Sequence, residues 1–374
     1  MSGFDLVARS LKMAGKPVMG CFPLYPPLEL LHSMGYNPVI LWGLKQFFRS
    51  TPESDRHVQN FACSVGRHLF ELITSESGKI FDDLFFYNAC DTLRNLPELI
   101  TAALEQKGRQ VSFARMHLPM QGIEGPAGVD FFKNEIARLV LLLEKRRGIP
   151  FSKERFEKSV QLYRQLREIC MKLQELVATG QYSFTEYAKH MQEGCFLPVE
   201  KAIEYVEARV RSAAKEPSRE CKTARIVLSG ILTPAPAITH AIEEVGFIVA
   251  GNDLACMQRS IGYTPASCDD VREYYVDFYT NHCPCSTLLF TADRRIEYLI
   301  GMVKATQAKG VIFLDEKFCD SETLEFPFIE DKLKGNGIHV LSLEQSVDDR
   351  DNVAPTINRI SAFAELLHDV VDRG

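Results

Sequence analysis

Two cysteine–aspartate pairs carry the most suggestive chemistry in the chain. In DLFFYNACDTLRNL (Asp83–Leu96) an apolar run, Leu84 to Tyr87, leads into Cys90–Asp91, and residues able to begin a helix follow. GVIFLDEKFCDSETLEF repeats the arrangement, with Val311 to Leu314 ahead of Cys319–Asp320. Each reads as a buried strand running out into a Cys-Asp pair at the head of a helix. Helix N-termini present unpaired N–H groups and the positive end of the helix dipole, which favour a thiolate. Asp91 and Asp320 are the residue type that caps such helices, at roughly 0.5–2 kcal/mol each. Two cysteines so placed could hold one anionic cofactor between them. Taken singly, each is equally the kind of buried thiol that ends many core strands.

The elements that must position these cysteines come from the periodicity. Lys16–Pro23 reads as a first strand ending at Cys21, followed by a helix carrying Leu28, Leu31 and Met34, with Gly35 at its C-terminal cap. Pro38–Gly43 is a second strand. In QNFACSVGRHLFELI, Cys63 sits where a loop becomes a helix. The third strand ends at Cys90, and Val111–Pro119 reads as a fourth. Strands alternating with helices describe an open parallel α/β sheet, whose ligands lie beyond the carboxyl ends of the strands. Cys21 and Cys90 fall there, and Cys63 could as well. From Gly125 the pattern turns helical: Ile136, Leu139, Val140 and Leu143 make one stripe, and Phe156 to Leu176 another that opens at Ser152. Cys170 lies on that second stripe and reads as core. Ser183 with Glu186 reads as a capping box, and Pro198 as a helix first turn. The polar AAKEPSRECKT closes the block, and its Cys221 has no evident role. A second α/β unit follows, with strands at Ala224–Gly230, Phe247–Asp253, Val311–Leu314 and His339–Gln345 and a last helix carrying Ile357, Ile360, Phe363 and Leu366. Leu288–Phe290 reads as a short strand or as loop. Gly230, Asn252 and Asp253 stand at strand ends as candidate neighbours of a site.

The reading is therefore α/β: two Rossmann/flavodoxin-like parallel-sheet domains with an intervening helical block. The divisions fall at 1–124, 125–222 and 223–374, and the two outer domains echo each other as in a weak internal duplication. A chain of 374 residues, 46% hydrophobic, has material for two such cores. A net charge of −6 gives no electrostatic reason to expect nucleic acid or anionic membrane as a partner. No apolar run approaches the roughly 20 residues that span a bilayer, and the N-terminal stretch lacks the apolar core of a secretory signal, so a cytoplasmic location is expected. The 11 cysteines show no C-x-x-C spacing. Phosphate-loop, dinucleotide, G-x-S-x-G and H-E-x-x-H motifs are missing as well. What remains is inert thiols, or a metal centre assembled from loops distant in sequence.

GCFPLYPPLELLHSMGYNPVILWG, FACS, ACDTLRNL, LSGIL and GVIFLDEKFCDSETLEFPFIEDKL together resemble the 2-hydroxyacyl-CoA dehydratase and benzoyl-CoA reductase family, nearest its smaller, beta-type subunit. The resemblance implies an oxygen-sensitive enzyme component in which Cys63, Cys90 and Cys319 hold a 4Fe–4S cluster, leaving one iron with a non-protein ligand. It also implies partners: a related alpha-type subunit in a heterodimer, and a separate ATP-dependent iron–sulfur activator that delivers one low-potential electron. The substrate would be an acyl-CoA, dehydrated through a ketyl radical or reduced in an aromatic ring. A sister branch, the double-cubane proteins, is similar and binds an 8Fe–9S cluster as a homodimer. For that alternative Cys21, Cys256 and Cys285 are the additional candidate ligands, and an electron-relay subunit without catalysis is a third reading. Cys283 reads as a plain thiol.

Overall fold

The strands leading toward the cysteines are buried along their whole length. β1 (Val18–Phe22) and β3 (Asp83–Tyr87) show no alternation of buried and exposed residues, the mark of strands covered by helices on both faces. The computed structural model describes Leu11 and residues 15–42, 50–120, 122–219, 222–267, 269–288, 292–346 and 353–372. Between the strands of the first half run α1 (Leu28–Ser33), α2 (Ser54–His57), α3 (Ser64–Thr74) and α4 (Asp91–Gln106). β2 (Asn37–Ile40) pairs with β1, and β4 (Ser112–Met116) pairs with β3, giving a parallel sheet in the order β2-β1-β3-β4. In the second half β5 (Arg225–Gly230), β6 (Ile248–Leu254), β7 (Gly310–Glu316) and β8 (His339–Gln345) form a parallel sheet in the order β6-β5-β7-β8. The two sheets have one winding. In each, the order reverses beside the first strand, between β1 and β3 and between β5 and β7. Such a reversal opens a crevice beyond the carboxyl ends of those strands, and Cys90 and Cys319 follow β3 and β7.

The helical block is α5 (Gly125–Arg147), α6 (Lys153–Ala178), α7 (Phe184–Gly194) and α8 (Val199–Ala213). Gly148 ends α5 at φ 62°, and the hydroxyls of Ser152 and Ser183 accept from Arg155 N and Glu186 N as caps of α6 and α7. The apolar stripes of α5 and α6 are buried, Ile136, Leu139 and Leu143 among them, and Cys170 with them. α9 (Pro236–Glu244), α10 (Gln258–Ile261), α11 (Val271–Asn281), α12 (Ala292–Thr306), α13 (Asp320–Gly335) and α14 (Ala354–Asp372) complete the second half. Leu288 lies in a 3-10 turn, Ser286–Leu288, while Leu289, Phe290 and Cys221 fall outside the described residues.

α11 joins the two halves. Capped by Asp270, whose carboxylate accepts from Arg272 N at 2.7 Å, it buries Tyr274, Tyr275, Phe278 and Tyr279. Tyr274 and Tyr275 donate to the carboxylate of Glu29 on α1, each at 3.1 Å, and Arg167 of α6 reaches the same group at 2.5 Å. Tyr279 donates to Tyr25 O at 2.6 Å, and the Tyr25 hydroxyl donates to Ala255 O at 3.2 Å. A wholly buried carboxylate thus collects donors from the helical block and from the second half. Leaving it unpaired would be costly.

Candidate functional site

Three cysteines start three helices. Cys63 is the N-cap of α3, Cys90 of α4 and Cys319 of α13. Asp91 and Asp320, expected from sequence to be the caps, are instead the first helical residues, and Asp91 turns its side chain to solvent, 3.5 Å from Arg94. The cysteines hold the N-cap positions without a cap hydrogen bond from their side chains, and their sulfurs lie beside the N–H groups of the first turns. N–H groups of Gly66 and Val65 favour the thiolate of Cys63, those of Leu93 and Thr92 that of Cys90, and that of Glu322 that of Cys319.

These three cysteines converge. The residues keep some surface, but their sulfurs are desolvated, and burial pushes Cys63 up to about 12 and raises Cys90 and Cys319. Like charge adds to this: Cys63 and Cys90 both raise Cys319, and Cys90 raises Cys63. Gly66 explains how close the helix starts come, because a Cβ there would lie 2.9 Å from Thr92 Cγ2 of α4. The second half meets them through Ser64, whose hydroxyl donates to the Glu316 carboxylate at the end of β7. The first turn of α13 is fixed in turn. Buried Arg295 donates to Glu322 at 2.5 and 2.9 Å and to Glu325 at 2.9 Å, and Ser286 donates to Glu322 at 2.7 Å. Among the described residues no group of three His, Cys, Asp or Glu side chains is arranged to hold a metal ion. Three thiols close enough to raise one another's pKa are a donor set of the kind that holds an iron–sulfur group.

The other candidate cysteines are engaged elsewhere. Cys21 faces the core from β1, its Sγ 3.5 Å from Met19 O, and burial raises its pKa. Cys256 belongs with Cys170 and Cys195 on the wall of an apolar cavity of about 100 Å³ that also touches Trp42 and Met191. Cys285 accepts from buried Arg259 at 3.0 Å and lies 3.2 Å from the Thr287 hydroxyl. Cys283 packs on Gly262, where a Cβ would sit 2.6 Å from its sulfur. None of these is among the groups acting most strongly on Cys63, Cys90 or Cys319. Gly230, Asn252 and Asp253 brace the second sheet. Gly230 has φ 146° with Leu314 O filling the position of a Cβ, Asn252 Oδ1 accepts from Gln258 N at 3.0 Å, and Asp253 accepts from Ser229 at 2.6 Å. Sequence reasoning passed over Ser64, Glu316, Arg295 and Glu322. Glu316 had a usable signal, since it ends a strand at the switch point. A buried arginine has none.

The fold and site define an α/β protein of two similarly wound parallel-sheet domains, with three helix-starting cysteines meeting beyond the strand ends. Residues 23–367 match the 2-hydroxyglutaryl-CoA dehydratase, D-component family, and the chain belongs to it. It is 23% identical to the (R)-phenyllactyl-CoA dehydratase beta subunit of Clostridium sporogenes, over 96% of this chain and 94% of that one. Identity to the (R)-2-hydroxyglutaryl-CoA dehydratase subunit beta of Acidaminococcus fermentans is 23%, over 95% and 94% of the two chains. A benzoyl-CoA reductase subunit from Thauera aromatica is 22% identical over 96% and 94%. The chain is a component of a dehydratase or reductase of this family. Among the described residues no helix is long and apolar enough to cross a membrane.

Proposed function

We propose that this chain is the iron–sulfur subunit of a 2-hydroxyacyl-CoA dehydratase or benzoyl-CoA reductase-type enzyme, with Cys63, Cys90 and Cys319 as ligands of one 4Fe–4S cluster. The observation that supports the reading is three thiols at the starts of helices that follow both sheets, close enough to act on one another electrostatically. When bound, such a cluster supplies one-electron transfer and an iron that can polarise a substrate oxygen. The protein's part is to hold three thiolates together. Helix starts favour the anionic form, and cationic iron, when bound, would offset the burial and like charge that raise the pKa of the thiols. The Ser64–Glu316 and Arg295–Glu322 bonds orient the ligand-bearing segments from behind. The partners of this reading are a related alpha-type subunit, an ATP-dependent iron–sulfur activator and an acyl-CoA. An 8Fe–9S cluster would need Cys21, Cys256 or Cys285 as well. The contacts of Cys21 with Met19 O and of Cys285 with Arg259 favour the smaller group. Iron and acid-labile sulfide in anaerobically purified protein test this: about four irons per chain are expected, with colour bleached by dithionite. Colourless, iron-free protein would overturn it.

A further inference from the structure

The apolar cavity around Cys170 lies outside the three-cysteine site and has no part in the chemistry proposed above. Its volume is about 100 Å³, and every portion of the chain contributes to its wall: Ile40 and Trp42 from the first half, Cys170 and Met191 from the helical block, Cys256 and Ile261 from the second half. Cys195, half-buried, completes a group of three thiols there, and Cys256 and Cys170 both add to the burial that raises it. Burial pushes Cys170 and Cys195 up to about 12, so both are uncharged thiols at neutral pH. Arg167, Ser260 and His190 also reach the wall, but their polar atoms are spent on other partners. Arg167 donates to Glu29 at 2.5 Å, the Ser260 hydroxyl donates to Met257 O at 2.7 Å, and a His190 ring nitrogen lies 2.6 Å from the Tyr182 hydroxyl.

What faces the space is hydrocarbon, aromatic ring and polarisable sulfur. Left empty, such a space forfeits dispersion contacts along its whole lining, and water gains little in it without several polar partners. An apolar cavity of roughly 150 Å³ stays dry and takes up benzene or xenon; this one has about two-thirds of that volume. A carboxylate or phosphate finds no free counter-charge, because Glu29 already neutralises Arg167. We infer that this cavity is a binding site for one small uncharged apolar molecule, in the size class from a xenon atom to a single unsubstituted ring. The site is independent of any cluster at Cys63, Cys90 and Cys319.

Trp42 reports on the site, being the only tryptophan of the chain, 3% exposed and on the cavity wall. The test is fluorescence titration of the full chain, purified anaerobically, with xenon as a heavy-atom quencher and with benzene and benzoate as competitors. Xenon should quench Trp42 along a saturating curve. Benzene should relieve that quenching with a dissociation constant on the order of 1 mM, and benzoate should bind at least about tenfold more weakly. Gly194→Leu fills the space from the end of α7, where a Cβ would meet nothing within 4 Å. Leucine suits a helix better than glycine, so this variant should fold and lose at least about tenfold in benzene affinity. Met191→Ala enlarges the same space and should bind benzene several-fold more tightly, with a larger rise in melting temperature on adding benzene than the native chain shows. Linear quenching that benzene leaves unrelieved, benzoate binding as tight as that of benzene, undiminished affinity in Gly194→Leu, or unimproved affinity in Met191→Ala would each overturn the assignment.

Discussion

Replacing Glu29 by glutamine probes the joint that brings the cysteines together. The native carboxylate is fully buried and accepts from Arg167 at 2.5 Å and from Tyr274 and Tyr275 at 3.1 Å each. Glutamine keeps the volume and one acceptor oxygen but leaves the Arg167 guanidinium, 6% exposed, without its counter-charge. Burial opposes the charged form of Arg167, yet its pKa is raised overall, chiefly by Glu29, so the pair is strongly coupled. Breaking a buried pair from one side costs about 3–5 kcal/mol. Adding Arg167→Met removes the stranded charge while the glutamine oxygen still accepts from a tyrosine. The double variant should then recover to within about 2 kcal/mol of the native chain, a non-additivity of several kcal/mol. Urea unfolding followed by far-UV circular dichroism measures all four proteins. A loss below about 1 kcal/mol for Glu29→Gln, or an additive cycle, would refute the joint's role. Because the joint ties α1 and α6 to the second half, Glu29→Gln should also lower iron retention.

Other outcomes follow from the same geometry. Gly66→Ala should weaken iron retention by roughly tenfold although alanine favours the helix by about 1 kcal/mol, because the new methyl meets Thr92 Cγ2 at 2.9 Å. Thr92→Ser, which deletes that methyl, should restore it, and unchanged iron in Gly66→Ala would deny the close contact any importance. His282 packs tilted against the ring of Tyr25 at 4.3 Å and edge-on against that of Phe278 at 5.0 Å, and burial pulls its pKa from 6.5 to about 3. It stays neutral when folded while the unfolded chain gains a proton below about pH 6.5, so stability is lost as pH falls from 6.5 toward 3. The contribution is about 2 kcal/mol at pH 5. Urea midpoints at pH 7.5 and 5 should drop more for the native chain than for His282→Phe, and equal drops would refute the assignment. Iron analysis of serine variants should show losses at Cys63, Cys90 and Cys319 and none at Cys21, Cys256 or Cys285; iron lost with Cys21→Ser would point to the larger cluster.

Much of the architecture was legible because it is local. The unbroken apolar runs before Cys90 and Cys319 mark fully buried strands, and the switch to helical spacing just after them marks where the helices start. Ser152, Ser183 and Gly148 announced helix ends through chemistry that acts within one turn. α11 was missed because VREYYVDFYTN interleaves acids with aromatics, and only packing against α1 and α5 shows that Tyr274, Tyr275, Phe278 and Tyr279 form one buried face. Arg259 and Arg295 were missed for a related reason. An arginine in sequence reads as surface, and its burial here depends on Asp253 and Glu322, which lie on other elements.

The succession of strands and of the longer amphipathic helices, the echo between the halves and the placing of Cys63, Cys90 and Cys319 at helix starts were determined by sequence alone, since each depends on neighbours a few residues away. Which thiols meet was decided by the tertiary structure. Cys21 stands near the same sheet edge as Cys90 yet points into the core, and Cys285 is claimed by Arg259. Side-chain direction and the approach of two separately wound sheets depend on contacts such as that of Arg167 with Glu29, between residues that only folding brings together.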